Sequence, residues 1–302
     1  MKTKITVYLI IFMALIMATY AYTLFANYGK FDKMLDITFL ILFFIIVLIS
    51  FLLKSKIIRY ITLGFSLVYF GFLKKNYISI IELDFYNLLK NSWPITIDNL
   101  FWYLFWLFVI VTAVLLGRVY CGWICPFGAC QEFLKKINPL EFKMKKEIHQ
   151  KLRYLKFLIL IITAVLFYVL SINIINYVEP FDTLFYFYIG GILLTILIII
   201  LLISSFNERF YCKYLCPYGA IFVVLSYFNL YRIERWDECS FCKKCEFLCF
   251  VNNIDGNKIN NAECLRCQDC ERLSVNEKGC THYLLKAKNI FSETEKKKSS
   301  QL

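Results

Sequence analysis

Histidine is nearly absent: the chain has two, His149 and His282, in 302 residues. Neither lies in an apolar run, and both read as surface residues, so a haem path with histidine axial ligands inside membrane spans is excluded. An H-E-x-x-H zinc signature, a phosphate-binding glycine loop and a G-x-S-x-G nucleophile elbow are all missing, which leaves hydrolytic and phosphoryl-transfer chemistry without support. Prolines number five, and charged side chains make up only 19% of the chain, less than a water-soluble protein carries. The 34 basic residues outnumber the 22 acidic ones and give a formal net charge of +12. They fall in short clusters beside apolar runs, the pattern that orients a chain in a bilayer, so nucleic acid is not the partner.

What the chain has instead is hydrophobic residues, 60% of the total, and thirteen cysteines. Uncharged runs long enough to cross about 30 Å of hydrocarbon at about 1.5 Å per residue occur at 5–25, 37–53, 100–116, 157–178 and 183–206. A sixth, 57–73, carries Arg59 near one end, where the side chain is expected to snorkel to the headgroups. The first run is longer than a signal-peptide core and has no small-x-small cleavage site after it, so it reads as an uncleaved span. Six spans place both ends on one side. Fourteen Lys and Arg lie in the loops of that side, nine of them between Arg118 and Lys156, against five opposite. By the positive-inside rule both ends are cytoplasmic, in an inner membrane.

A twelve-residue segment occurs twice. From Arg118 the chain reads RVYCGWICPFGA and from Arg209 RFYCKYLCPYGA, identical at seven positions. Each copy follows an apolar run, so the two are expected at the same depth, related by an axis along the membrane normal. Cys121, Cys125, Cys212 and Cys216 then converge. Cysteines four apart share a helix face, and Pro126 and Pro217 with Gly128 and Gly219 are expected to end or kink the span. Thiolates favour copper(I), zinc and iron–sulfur clusters; metal binding, disulfide redox chemistry and simple packing all remain open for these four. Cys130, with no counterpart in the second copy, reads as packing. Residues 221–233 read as an interfacial helix.

Beyond Trp236 the chain turns polar and holds eight cysteines. Cys239, Cys242, Cys245 and Cys249 have the C-x2-C-x2-C-x3-C spacing of bacterial ferredoxins, and Cys264, Cys267 and Cys270 begin a second run. Asp255-Gly256 flanked by isoleucines predicts a hairpin between the runs. In the crossed pattern, Cys264, Cys267, Cys270 and Cys249 hold one cluster. The other lacks its fourth thiolate, since position 274 is Ser274: either the serine ligates, or the site holds a three-iron or labile cluster, or Cys280, the expected substitute, completes it. The fold class is therefore an all-α membrane bundle of about six helices with an internal repeat, plus a small α+β two-cluster domain. The expected divisions are 1–98, 99–235, 236–285 and a disordered tail at 286–302.

These motifs resemble the NapH/MauN group of ferredoxin-type membrane proteins, related to the C-terminal half of NosR, to YccM and to CcoG. The resemblance covers 101–280 and rests on the paired C-x3-C-P motifs followed by the ferredoxin-spaced cysteines. It implies a membrane-anchored electron carrier with two 4Fe-4S clusters, working with a partner respiratory redox enzyme and with quinone, in contact with membrane lipid. A second role implied by the same group is copper handling, with copper or a further metal at the C-x3-C-P thiols. Ser274 and the lack of a flavin domain are departures from the group's longer members.

Overall fold

The computed structural model describes residues 31–73, 97–138, 140, 144, 146–170, 180–185, 191–233, 244–255 and 258–275. The expected span at 5–25, the tail, and Cys239, Cys242 and Cys280 lie outside the described residues. Helix α1 (Phe31–Leu53) and helix α2 (Lys56–Ser66), which continues as a π-helix over Leu67–Leu73, match two expected spans. Residues 36–53 and 56–73 are long and apolar enough to cross a membrane. Ser55 starts α2 as its N-cap, its hydroxyl accepting the Ile58 N–H at 3.4 Å, which satisfies one of the orphan donors of the first turn. Helices α3 (Ile97–Leu116), α4 (Pro126–Ile137), α5 (Lys146–Leu152) and α6 (Leu155–Leu170) follow. The run at 183–206 is met by two helices, α7 (Pro180–Phe185) and α8 (Gly191–Phe206).

The second half repeats the first. A short helix α9 (Phe210–Tyr214) and helix α10 (Pro217–Ser226) follow α8, as a π-helical turn (Tyr120–Ile124) and α4 follow α3. Packing is crosswise: α4 lies on α8, and α10 lies on α3. Each helix after a motif thus covers the helix before the other motif, as a two-fold arrangement of repeats requires. Phe44 of α1 joins this core by stacking on Phe108 of α3, with centroids 3.6 Å apart and planes 5° from parallel. The expected interfacial helix at 221–233 differs: α10 starts at Pro217, whose fixed φ suits the first helical position, and ends at Ser226. The segment beyond is pinned to α3, with the Leu230 and Tyr231 N–H groups donating to the Leu115 carbonyl at 3.2 and 3.0 Å.

The cysteine-rich segment contributes helix α11 (Lys244–Leu248), strands β1 (Ile254–Asp255) and β2 (Lys258–Ile259), and helix α12 (Asp269–Val275). The strands pair antiparallel with Ile254 opposite Ile259 and Asp255 opposite Lys258, the hairpin expected from the sequence. The loop carrying Cys264 and Cys267 docks against the repeat. Gly122 makes this possible, because a Cβ there would lie 1.9 Å from the Leu265 carbonyl oxygen. The Trp123 indole donates to the Arg266 carbonyl at 2.9 Å, and Gln268 donates to the Phe51 carbonyl at 2.8 Å.

Four residues expected at the surface are buried, three of them for one electrostatic reason. Arg59, expected to snorkel, is 0% exposed. Its guanidinium reaches Glu132 at 2.8 Å, the carboxylate that also takes the Arg209 Nε at 2.9 Å. Arg118 and Lys156, counted as loop charges, meet Glu263 at 2.9 and 2.5 Å. His149 is buried with its Nδ1 2.7 Å from the Tyr214 hydroxyl. Buried cations persist where a carboxylate and further hydrogen bonds replace water. Burial acts to raise the Glu132 carboxyl, but Arg209 and Arg59 outweigh it and hold it below the ordinary carboxylate range.

Two outcomes follow from these contacts. Gly122→Ala is expected to undock the 263–268 loop, read as accelerated amide hydrogen exchange at Leu265 to Gln268 with α1 and α3 unchanged. Glu132→Gln leaves two buried guanidinium ions without a carboxylate and is expected to cost about 3–5 kcal/mol, seen as a lowered unfolding midpoint in detergent. Because the folded carboxyl is depressed, its contribution is present above the unfolded value of about 4.3 and fades as pH falls further. Acidification below that point therefore narrows the gap between wild type and the Gln variant.

Candidate functional site

The two C-x3-C-P motifs close around one cavity lined by Cys121, Cys125, Cys212 and Cys216. The pairs do not sit on one continuous helix, contrary to the spacing argument. Cys121 lies in the π-helical turn and Cys212 in α9, while Cys125 and Cys216 are the N-caps of α4 and α10. The prolines cause this. A residue before proline avoids the α region, and Cys125 and Cys216 take ψ 116 with φ −58 and −69. In both copies the second cysteine's N–H donates five residues back, to the Tyr120 or Tyr211 carbonyl, at 2.9 Å. Each proline thus opens a new helix whose N-cap is a thiol. The Cys125 sulfur accepts the Gly128 N–H at 3.5 Å and the Cys216 sulfur accepts the Gly219 N–H at 3.4 Å.

The repeated arginine and glycine form a crossed pair. Arg209 enters the space a side chain at Gly128 would fill, its guanidinium 3.2 Å from that ideal Cβ, and Arg118 does the same at Gly219, at 3.1 Å. Arg209 donates to the Cys121 carbonyl, and Arg118 to the Cys212 carbonyl at 3.4 Å. Each repeat therefore positions the other's first cysteine. The counter-ions differ: Arg209 pairs with Glu132 of α4, and Arg118 pairs with Glu263, the residue before Cys264.

A second asymmetry lies at the sulfurs. Gln131 is fully buried, donates to the Cys212 sulfur at 3.3 Å, and accepts from Ser204 and from the Tyr211 N–H, both at 3.1 Å. The matching position in the second repeat is Phe222, which lines the cavity. One side of the thiol site is thus polar and the other apolar. Burial, followed by the Cys212 and Cys121 charges, pushes the Cys125 and Cys216 thiols well above the ordinary range. Burial also raises Cys212, against the lowering by Arg209. Thiols raised in this way are protonated unless a cation joins them, and its binding then releases their protons.

The geometry constrains that cation. Four thiolates about one zinc at about 2.3 Å sit about 3.8 Å apart, yet among the described residues no three of His, Cys, Asp and Glu lie close enough to hold a single ion. The free space between the thiols is about 20 Å³, about one water's worth.

Among the ferredoxin-spaced cysteines, Cys249, Cys264 and Cys270 are near enough for their charges to act on one another. Burial raises Cys249, while the backbone N–H groups of Asn253, Val251 and Asn252 lower it by facing its sulfur. Burial likewise pushes Cys267 well up, and the Asp269 N–H faces it. Asn252, Arg266 and Gln268 take left-handed φ values of 53°, 57° and 64°, which lets the loops curl so that several N–H groups converge. Thiols ringed by N–H donors suit a cluster that carries net negative charge. Cys245 acts on Cys270, and Ser274 lies in α12. Cys130 is half-buried on α4, as packing requires. Sequence reasoning missed Gln131, Glu132, Glu263 and Gly122; only the duplicated arginine and glycine carried a visible signal.

Residues 98–147 and 189–232 match the family described as 4Fe-4S binding domain. Those stretches carry the two C-x3-C-P motifs, and the ferredoxin-spaced cysteines lie outside them. An uncharacterized protein of Methanocaldococcus jannaschii is 34% identical over 224 residues, 72% of this chain and 92% of that protein. The regulatory protein NosR of Stutzerimonas stutzeri is 29% identical over 258 residues, covering 80% of this chain and 35% of NosR. The ferredoxin-type protein NapH of Haemophilus influenzae is 27% identical over 177 residues, 54% of this chain and 61% of NapH. No solved structure matches the chain. With both motifs and the ferredoxin-spaced cysteines in place, the chain belongs to the family of ferredoxin-type iron–sulfur proteins that includes NapH, MauN and NosR.

Proposed function

We propose that this protein is a membrane-anchored electron carrier in which the ferredoxin-type segment and the four-thiol cavity form one relay serving a partner redox enzyme. The observation that carries it is the contact between the two cysteine groups. Gly122 meets Leu265, so the residues next to Cys121 and next to Cys264 touch, and Trp123 bonds the carbonyl of Arg266, next to Cys267. Bound iron–sulfur clusters supply one-electron transfer. The chain's part is to fix their ligands at short range and keep water out. Cys249, Cys264, Cys267 and Cys270 would hold one cluster, and Cys239, Cys242, Cys245 and Cys280 a second. Cys121, Cys125, Cys212 and Cys216 would hold a third, polynuclear centre, a reading supported by their shared cavity and by the 4Fe-4S family match over both motifs.

The membrane reading is six spans with the ferredoxin segment on the cytoplasmic side. It is supported by the apolar side chains that α1, α6 and α8 turn outward, among them Leu42, Ile46, Ile49, Ile161, Val165, Ile199 and Leu202. A soluble surface does not present such continuous apolar area. With Arg59, Arg118 and Lys156 removed from the count as buried, eleven basic residues still face five, so the orientation argument survives. Quinone or a partner subunit would complete the path across the bilayer.

Iron and acid-labile sulfide per chain, with low-temperature EPR of anaerobically purified protein, test the whole scheme. About twelve irons are expected for three 4Fe-4S centres and about eight if the cavity holds none. Cys121→Ser with Cys216→Ser is expected to remove about four irons and leave the ferredoxin-type signal. Zinc without iron would sink the carrier reading. Copper that vanishes in Cys212→Ser, with eight irons kept, would hand the cavity to copper handling.

A further inference from the structure

A cavity of about 170 Å³ separates α5 from the β1–β2 hairpin, its walls formed by His149, Arg153, Asn252, Asn253, Asp255 and Lys258 among others. The side chains of these residues play no part in the electron path proposed above. His149 is 2% exposed and Asn253 5%, and both line the cavity. The His149 Nε2 and the Asn253 Nδ2 have no hydrogen-bond partner among the described residues. A buried polar group in that state carries the full penalty of desolvation until something pairs with it.

The charge around the cavity has a sign. Arg153 and Lys258 stand on its walls with Asp255, while Lys213 and Lys156 lie behind His149 with Glu263. Four cations thus face two carboxylates. Burial first, then Lys213 and Arg153, depress His149 to about 4, so the ring is neutral at pH 7. Its Nδ1 is 2.7 Å from the Tyr214 hydroxyl. When that hydroxyl donates, the imidazole proton sits on Nε2, the ring nitrogen left without a partner among the described residues. The Asn253 Oδ1 is already within 3.5 Å of the Arg153 guanidinium, and its amide nitrogen likewise has no acceptor among the described residues. The unpaired groups of the cavity walls are therefore donors in a positive field.

We propose that this cavity binds a small oxyanion of the phosphate or short-carboxylate class, held by His149, Asn253, Arg153 and Lys258. At about 30 Å³ per water, the space suits an anion of a few heavy atoms and is too small for a nucleotide, whose pockets run to several hundred Å³. Asn252 and Asn253 also turn their backbone N–H groups toward the Cys249 sulfur. The turn that carries a proposed cluster ligand is thus one wall of the anion site.

Isothermal calorimetry on the full chain in detergent at pH 7 tests this, with inorganic phosphate, sulfate and malonate as titrants and chloride balancing ionic strength. Saturable binding is expected, with the preferred titrant naming the oxyanion. His149→Phe and Lys258→Gln should each weaken it about tenfold or more. Lys258 is exposed on the rim, so its variant keeps the fold even where the histidine variant does not. Heats indistinguishable from chloride for all three anions would mean the cavity holds solvent only and overturn the proposal. Unchanged affinity in Lys258→Gln and in a folded His149→Phe would overturn it as well.

Discussion

The structure depends on two arginines that cross between the repeats. A guanidinium can be buried only if its charge is met and its donors are used. Here Arg118 and Arg209 each reach the first cysteine of the opposite repeat and fill the space beside the opposite glycine. The distance between the repeats is therefore set by side-chain length, not by the softer packing of apolar helices. That distance is also the spacing of the four thiols. A lysine at either position would keep the charge but lose the planar fork that spans carbonyl and carboxylate together.

Around this frame the two halves are not equivalent. Cys212 receives an amide hydrogen bond from Gln131, while the corresponding Phe222 offers its half none. Hydrogen bonds to sulfur stabilise the more electron-rich state of a centre. A symmetric set of four thiols is thereby placed in an asymmetric environment, and the polar side is the one nearer α8. The repeat places the thiols alike, and Gln131 against Phe222 makes their surroundings differ.

Much of this was legible in the sequence. The repeated Arg, Cys, Pro and Gly positions and the Asp255-Gly256 hairpin announced themselves through fixed offsets and turn chemistry, and the structure brings the repeated motifs together and pairs the strands beside that turn; the ferredoxin spacing was as visible, with Cys239, Cys242 and Cys280 outside the described residues. Helix positions for α1, α2 and α3 followed from apolar run length. What could not be read was the fate of individual charges. Arg59, Arg118 and Lys156 look the same in sequence as any loop cation, because burial depends on Glu132 and Glu263, which lie far away in the chain: Glu263 is 145 residues from Arg118 and 107 from Lys156. His149 looked like a surface residue for the same reason, its partner Tyr214 being 65 residues distant. The helix expected through both cysteines of each motif failed locally, because proline's effect on the preceding residue outweighs the four-residue periodicity.

The counter-ions of the crossed arginines come from different parts of the chain. Glu132 belongs to the first repeat and meets Arg209 and Arg59 within the helical half. Arg118 and Lys156 find their carboxylate in Glu263, which arrives with the loop that carries Cys264. Glu263 is thus an electrostatic latch: the buried cations of the helical half are all matched only when that loop is docked.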